Sequence, residues 1–206
     1  MVGIRSALSF VPTQIPGCLV WLRGDLGITL SGASVSGWAD QSGNTNNASQ
    51  SGAAQPPYNP TAASGLPAIQ GNGSTYMTTP SIASPANITM LSVVQPLATT
   101  QSIAARIVEQ SYATSYFMGA NLTGVEYKLI VANTVSPFGL ANTGTVQLAP
   151  SLVSATYNNS TGSGTIYYNG AQQVSYPFSA VTGSLPLYIM RAAAGAASFG
   201  MGISPR

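Results

Sequence analysis

Apolar and polar positions alternate with a period close to two along most of this chain, and the 3.6-residue recurrence of an amphipathic helix is absent. Residues 28–38 alternate loosely through Ile28, Leu30, Ala33, Val35 and Trp38, as a strand pair would. Residues 88–94 set Ile88, Met90 and Ser92 against Thr89, Leu91 and Val93. Further strands are predicted over 103–110, 127–132, 152–157 and 185–189, with Tyr112, Tyr116 and Phe117 continuing after a polar break. The apolar run 18–22 reads as the first core strand. The strongest local signal is Asn169-Gly170 between the alternating runs 164–168 and 171–176. Asn-Gly favours a type I′ turn, whose twist matches that of paired strands. Residues 44–63, rich in Asn, Gln, Ser and Pro, read as a surface loop, and 1–17, with Pro12 and Pro16, as an extended N-terminal arm. Many short strands between turn residues predict an all-β, two-sheet antiparallel β-sandwich over residues 18–206.

One stretch organises the rest. Trp38-Ala39-Asp40-Gln41-Ser42-Gly43-Asn44 is followed by Thr45-Asn46-Asn47-Ala48. Asp40 suits the backbone amides of the turn, and Gly43 takes positive φ at little steric cost. Trp38 supplies an aromatic anchor for the corner. Trp38, Asp40, Gly43 and Asn44 are therefore expected to form a structural corner.

Composition narrows the chemistry. Charged residues are 5% of the 206, against about 25% in an average soluble protein. Polarity must come from Ser, Thr, Asn, Gln and backbone. The net charge is +2, and the six basic residues are scattered, so no nucleic-acid partner is expected. His is absent and Cys18 is the single cysteine, which excludes a Ser-His-Asp triad, an internal disulfide and a cysteine metal cluster. The start does not read as a signal peptide, and no stretch is long and apolar enough to span a bilayer.

Four segments, in order, resemble the laminin-G-like, concanavalin A-like lectin/glucanase domains of phage and bacterial surface proteins. The first is the Trp38 corner, similar to Trp-x-Asp-x-Ser-Gly-Asn-x-x-Asn-Ala. The second runs from Gly65 to Gly73 and is similar to Gly-x-Pro-Ala-Leu-x-Phe-Asp-Gly, with Gly71 and Asn72 in place of Phe-Asp; Tyr76-Met77 follow as the aromatic-apolar pair. The third is Ala155-Thr156-Tyr157 with Tyr167-Tyr168-Asn169-Gly170. The fourth is Leu187-Tyr188-Ile189-Met190-Arg191, similar to Leu-Tyr-Ile-Gly-Arg. The resemblance implies a jelly roll. The family's closing strand is missing or altered in Ser198 to Arg206. That implies either an unpaired sheet edge, open to the arm or to another subunit, or a tail that makes a poor edge strand.

The resemblance also brings in glucanases, but hydrolysis usually needs two carboxyl groups about 5–9.5 Å apart. Asp25, Asp40, Glu109 and Glu126 lack the i, i+2 or i+4 spacing of the glucanase branch. Glu109 has Arg106 three residues away as an ion-pair partner, and no enzyme is expected. Asp25 or Asp40, with carbonyls and Asn side chains, could hold a weak calcium ion; otherwise no cofactor is expected. Arg23-Gly24-Asp25 reads as a turn rather than an integrin ligand. Tyr112, Tyr116, Asn121 and Tyr127 offer aromatic faces and amides for a sugar. Few charges and a possible open edge point first to a structural or adhesive module on a particle surface, such as a phage decoration, tail or fibre protein, with other subunits as partners. The alternative is a carbohydrate-binding lectin domain of a bacterial extracellular protein. Either places the chain on a virion or an extracellular surface.

Overall fold

A computed structural model of the chain describes residues 11–71, 74–96, 105–110, 116–121, 126–131, 141–142, 149–177, 183–190 and 199–201. These contain sixteen strands. In chain order they are β1 (Ile28–Ser31), β2 (Ser34–Trp38), β3 (Ala48–Ser49), β4 (Tyr58–Ala63), β5 (Leu66–Gln70), β6 (Met77–Ala83), β7 (Asn87–Pro96) and β8 (Ala105–Glu109). There follow β9 (Tyr116–Asn121), β10 (Glu126–Val131), β11 (Ala141–Asn142), β12 (Ser151–Asn158), β13 (Ser163–Tyr168), β14 (Ala171–Pro177), β15 (Ser184–Ile189) and β16 (Phe199–Met201). One sheet has nine strands, ordered β1-β2-β3-β6-β15-β8-β9-β10-β11; the other has seven, ordered β14-β13-β12-β7-β16-β5-β4. The pairings between these strands are antiparallel.

Alternation builds the core. On β12, Ser151, Val153, Ala155 and Tyr157 are buried while the residues between them are half-buried. Val35, Trp38, Met77, Ile107 and Met118 from the nine-stranded sheet meet Ile69, Val94, Val153 and Ile166 from the seven-stranded sheet in one apolar cluster. The chain is thus the two-sheet antiparallel sandwich that the alternation predicts. Asn169 and Gly170, at φ 48° and 81°, make the two-residue turn between β13 and β14. Positive φ at both positions is what a type I′ turn requires.

The predicted first core strand, residues 18–22, belongs to no ladder. Its backbone is held by side chains of the corner instead. The Trp21 N–H donates to Asp40 Oδ1 (2.8 Å), and the Trp21 carbonyl accepts from the Gln41 N–H (2.7 Å). The Cys18 carbonyl accepts from Asn44 Nδ2 (2.7 Å), and the Leu19 carbonyl from Asn46 Nδ2 (2.9 Å) and Ser42 Oγ (3.2 Å). Asp40 also accepts from the Ser42 N–H, the Ser42 hydroxyl and the Asn46 N–H. Apolarity alone could not distinguish a strand from an extended segment that side chains satisfy. Trp38 closes the corner from below, 1% exposed, with Nε1 donating to the Arg23 carbonyl (2.7 Å). Gly43 sits at φ 91°. Gly27, at φ 75°, accepts from the Ala39 N–H, and a Cβ there would stand 2.8 Å from the Ala39 Cβ.

Two other expectations need correction. Residues 44–63 are not all loop, since they contain β3 and β4. Of the N-terminal arm, the described part is not a plain extended run. Pro12–Gln14 makes a 3-10 turn, with Pro12 pre-set in φ and Gln14 Oε1 accepting from the Val11 N–H.

The tail is the largest departure. β16 lies inside the seven-stranded sheet, not at its edge. Gly200 and Met201 pair with Gln70 and Ile69 of β5 on one side, and with Gln95 and Val94 of β7 on the other. The edges are β1 and β11 in one sheet, β14 and β4 in the other. The β1–β2 pairing shifts register between Thr29 and Leu30. β4 shifts between Asn59 and Ala63 and contains Pro60. β14 carries Gln173 as an extra residue and ends at Pro177, and β11 has two residues.

Two outcomes test this architecture. Asp40→Ala leaves several donors without their acceptor and is expected to cost about 2–4 kcal/mol in urea unfolding, with the m-value unchanged. Gly200→Pro removes a donor from a strand bonded on both sides and is expected to cost at least about 2 kcal/mol. A tail lying free at an edge would tolerate that proline with little change in the same unfolding curve.

Candidate functional site

The two carboxylates considered for a cation are both engaged. Asp40 spends both oxygens on four donors, the amides of Trp21, Ser42 and Asn46 and the Ser42 hydroxyl. Asp25 receives Arg23 Nε on Oδ1 (3.1 Å) and Nη2 on Oδ2 (2.8 Å). That hydrogen-bonded guanidinium holds the Asp25 carboxyl below its ordinary pKa, and the carboxylate raises that of Arg23. Arg23 also lies over the Trp21 ring, 5.6 Å from its centroid. The Arg23–Asp25 turn is pinned further by the Tyr58 hydroxyl, which donates to the Gly24 carbonyl. A cation at Asp40 would compete with its four donors, whereas each Asp25 oxygen accepts a single donor. Among the described residues, no three His, Cys, Asp or Glu side chains gather as metal ligands. The Cys18 thiol beside the corner is pushed up in pKa by burial and then by the Asp40 charge, so it stays protonated at neutral pH.

Of the four residues considered for a sugar, Tyr116, Asn121 and Tyr127 lie on described strands. Tyr112 lies outside the described residues. Tyr116 and Asn121 occupy opposite ends of β9, roughly 16 Å apart at the rise of an extended strand. Asn121 pairs with Glu126 and Ala120 with Tyr127, whereas Tyr116 pairs with Val131. Backbone register therefore brings Asn121 and Tyr127 to one end and leaves Tyr116 at the other. The Arg106 side chain, the partner expected for Glu109, lies outside the described side chains.

A different aromatic pair is assembled on the outer face of the nine-stranded sheet. Met77 pairs with Ile189 and both are core residues, so their neighbours Tyr76, Thr78 and Tyr188 face away from the core. The Tyr76 and Tyr188 rings stand 6.1 Å apart, inclined at 58°. Both residues are half-buried. Register sets Ser49, Thr78, Tyr188 and Glu109 in one row across β3, β6, β15 and β8. At the usual strand separation the row spans about 14 Å. Glu109 ends it, 3% exposed. A register shift in β8 turns both Ile107 and Val108 toward the core and leaves Glu109 beside Tyr188. Buried Gln110 ties the far ends of β6 and β15 together: Oε1 accepts from the Ser84 hydroxyl (2.6 Å), and Nε2 donates to the Leu185 carbonyl (3.0 Å). The Tyr76 N–H is fixed by the Ala54 carbonyl (3.0 Å). The legible signal was that each tyrosine directly precedes a core residue; the pairing of β6 with β15 was not legible.

No family model and no curated protein matches the chain. Several solved structures share its fold. The binding domain of Paraclostridial Mosquitocidal Protein 1 superposes with a TM-score of 0.60 at 9% identity, over 89% of this chain and 47% of that one. Domain 4 of AbnA, a GH43 extracellular arabinanase from Geobacillus stearothermophilus solved with arabinotriose, gives 0.53 at 13% identity, over 81% of this chain and 88% of that one. The botulinum neurotoxin serotype D binding domain gives 0.55 at 11% identity, over 80% and 44%. The chain spans about half the length of the two toxin domains. At these identities the common property is the β-sandwich itself.

The Arg23–Asp25 pair carries a pH expectation. A depressed carboxyl pKa stabilises the fold above the unfolded value, about 3.9, and that contribution is lost as pH falls through the lower folded value. The side chains are 25% and 35% exposed, so solvent screens the pair. Asp25→Asn is expected to cost less than about 0.5 kcal/mol near neutral pH, and progressively less as pH falls below about 3.9 or as salt rises to ~1 M. Urea midpoints across pH and salt read this directly.

Proposed function

We propose that this domain is a non-catalytic glycan-binding module whose ligand lies on the outer face of the nine-stranded sheet, over Tyr76 and Tyr188. The observation that carries the reading is the half-buried tyrosine pair, of which Tyr188 is set in register with Thr78 and Ser49. Aromatic rings pack on the C–H faces of a sugar, and hydroxyls serve it as donors and acceptors. The fold supports the reading, because the arabinanase domain was solved with arabinotriose. For botulinum neurotoxin type C, at a TM-score of 0.53, cell entry depends on interaction with two ganglioside molecules. Both comparisons favour the lectin alternative over a particle-surface structural role. The premise of an open edge, which supported subunit assembly, is also weakened by the interior position of β16. A module of this kind works at an extracellular or virion surface, where glycans are met.

Tyr188→Ala and Tyr76→Ala are each expected to lower affinity for the glycan found on an array by about tenfold or more, which corresponds to about 1.4 kcal/mol. Titration calorimetry with that glycan, beside a melting curve for each variant, separates binding from folding. Unchanged affinity in both variants, or an array without hits, overturns the proposal.

A further inference from the structure

The seven-stranded sheet has an outer face of its own, on the opposite side of the sandwich. Met90, Ala155 and Ile166 are in register and buried in the core. The row one residue along therefore faces out. It consists of Thr89, Thr156, Thr165 and Ser175, directly paired across β7, β12, β13 and β14. The Thr165 and Ser175 hydroxyls are hydrogen-bonded to each other at 2.5 Å. The next outward row is Leu91, Ser154, Tyr167 and Gln172. Thr89, Leu91, Gln172 and Ser175 are exposed, Leu91 at 57%, and the inner members of both rows are half-buried. None of the four strands contains a charged residue.

We propose that this face is a second binding surface, which lies flat on an uncharged, hydroxyl-bearing polysaccharide in its packed, insoluble form. Strand geometry spaces the outward positions by about 4.8 Å along a row and about 6.8 Å between rows. Such a grid presents repeated hydroxyls to a repeating solid, where a cleft would present them to one chain. Threonine is stiff at χ1, so the hydroxyls are held before contact and little ordering is needed. Leu91 and Tyr167 add apolar area for the C–H faces of sugars. An anionic polymer would lose hydration here without a counter-charge. A protein partner fits poorly, because Ser is depleted in protein interfaces and Thr and Leu are rare among their hot spots, which favour Trp, Tyr and Arg. The surface shares no residue with the Tyr76–Tyr188 site and does not depend on it.

The test is depletion of the purified protein from solution by microcrystalline cellulose and by insoluble chitin, with size-exclusion chromatography alongside. Thr156→Val/Thr165→Val keeps the β-branched shape and removes two hydroxyls. It is expected to cut adsorption by about tenfold, while glycan binding in solution stays at the level of the unaltered protein. Thr89→Lys, at an exposed position, is expected to do the same should the double variant fold poorly. Tyr188→Ala is expected to adsorb as the unaltered protein does. The proposal is overturned by absence of adsorption, by adsorption that Thr89→Lys and the double variant leave intact, or by a concentration-dependent dimer that either variant abolishes. That last result would mean that a second copy covers the face.

Discussion

The Asp40 carboxylate takes the place of a neighbouring strand. Residues 18–21 have no ladder partner, and buried or half-buried backbone groups cannot be left unsatisfied. Asp40 takes the Trp21 amide and two amides of its own turn, while Asn44, Asn46 and Ser42 supply donors to the Cys18 and Leu19 carbonyls. The same knot positions the next strand. The Asp40 N–H donates to Asn47 Oδ1, immediately before Ala48 pairs with Trp38. That pairing fixes β3, and β3 places Ser49 opposite Thr78. The row that leads to Tyr188 on the outer face thus begins at the corner. Gly27, folded against Ala39 with no room for a side chain, holds the corner from the other side.

A chain with so few charges must manage its sheet edges by other means. Natural sheets blunt their edges with lysine, proline, bulges or brevity. Here three edges carry a register shift, two of them with a proline, and the fourth is a two-residue strand. Shape replaces repulsion. β16 fits the same logic, since a three-residue strand is enough when it is bonded on both sides and flanked by the buried Ile69 and Val94.

What could be read from the sequence was local. Asn169-Gly170 specifies its hairpin within a few residues, and the turn around Asp40 closes on itself between Asp40 and Asn47. The alternation of β7 and β12 was legible because each strand is long enough to show a period. Three residues show no period, so β16 was not. The Cys18–Trp21 segment looked like a strand because apolarity says nothing about where hydrogen bonds go, and its partners, mostly side chains, lie 19 to 27 positions away. The sugar candidates were grouped by closeness in sequence, yet along a strand that closeness becomes length. Tyr116 and Asn121 end up far apart, while Tyr76 and Tyr188 meet through pairing that no local pattern encodes.

A two-sheet sandwich commits one face of each strand to the core and leaves the other unassigned. In most soluble domains charge fills those outward positions. On this chain Glu109 ends one row on the nine-stranded sheet, and Leu91 and Gln172 end another on the seven-stranded sheet, but tyrosine, threonine and serine fill most positions of these rows. Such residues do little for solubility by repulsion, but they match a neutral partner rich in hydroxyls. With both proposed surfaces on opposite faces of one core, the domain would be bivalent. Because the two faces point in opposite directions, they would bridge separate ligands rather than clasp one. Modest affinity on each face would suffice to hold the chain where soluble glycans and packed polysaccharide occur together.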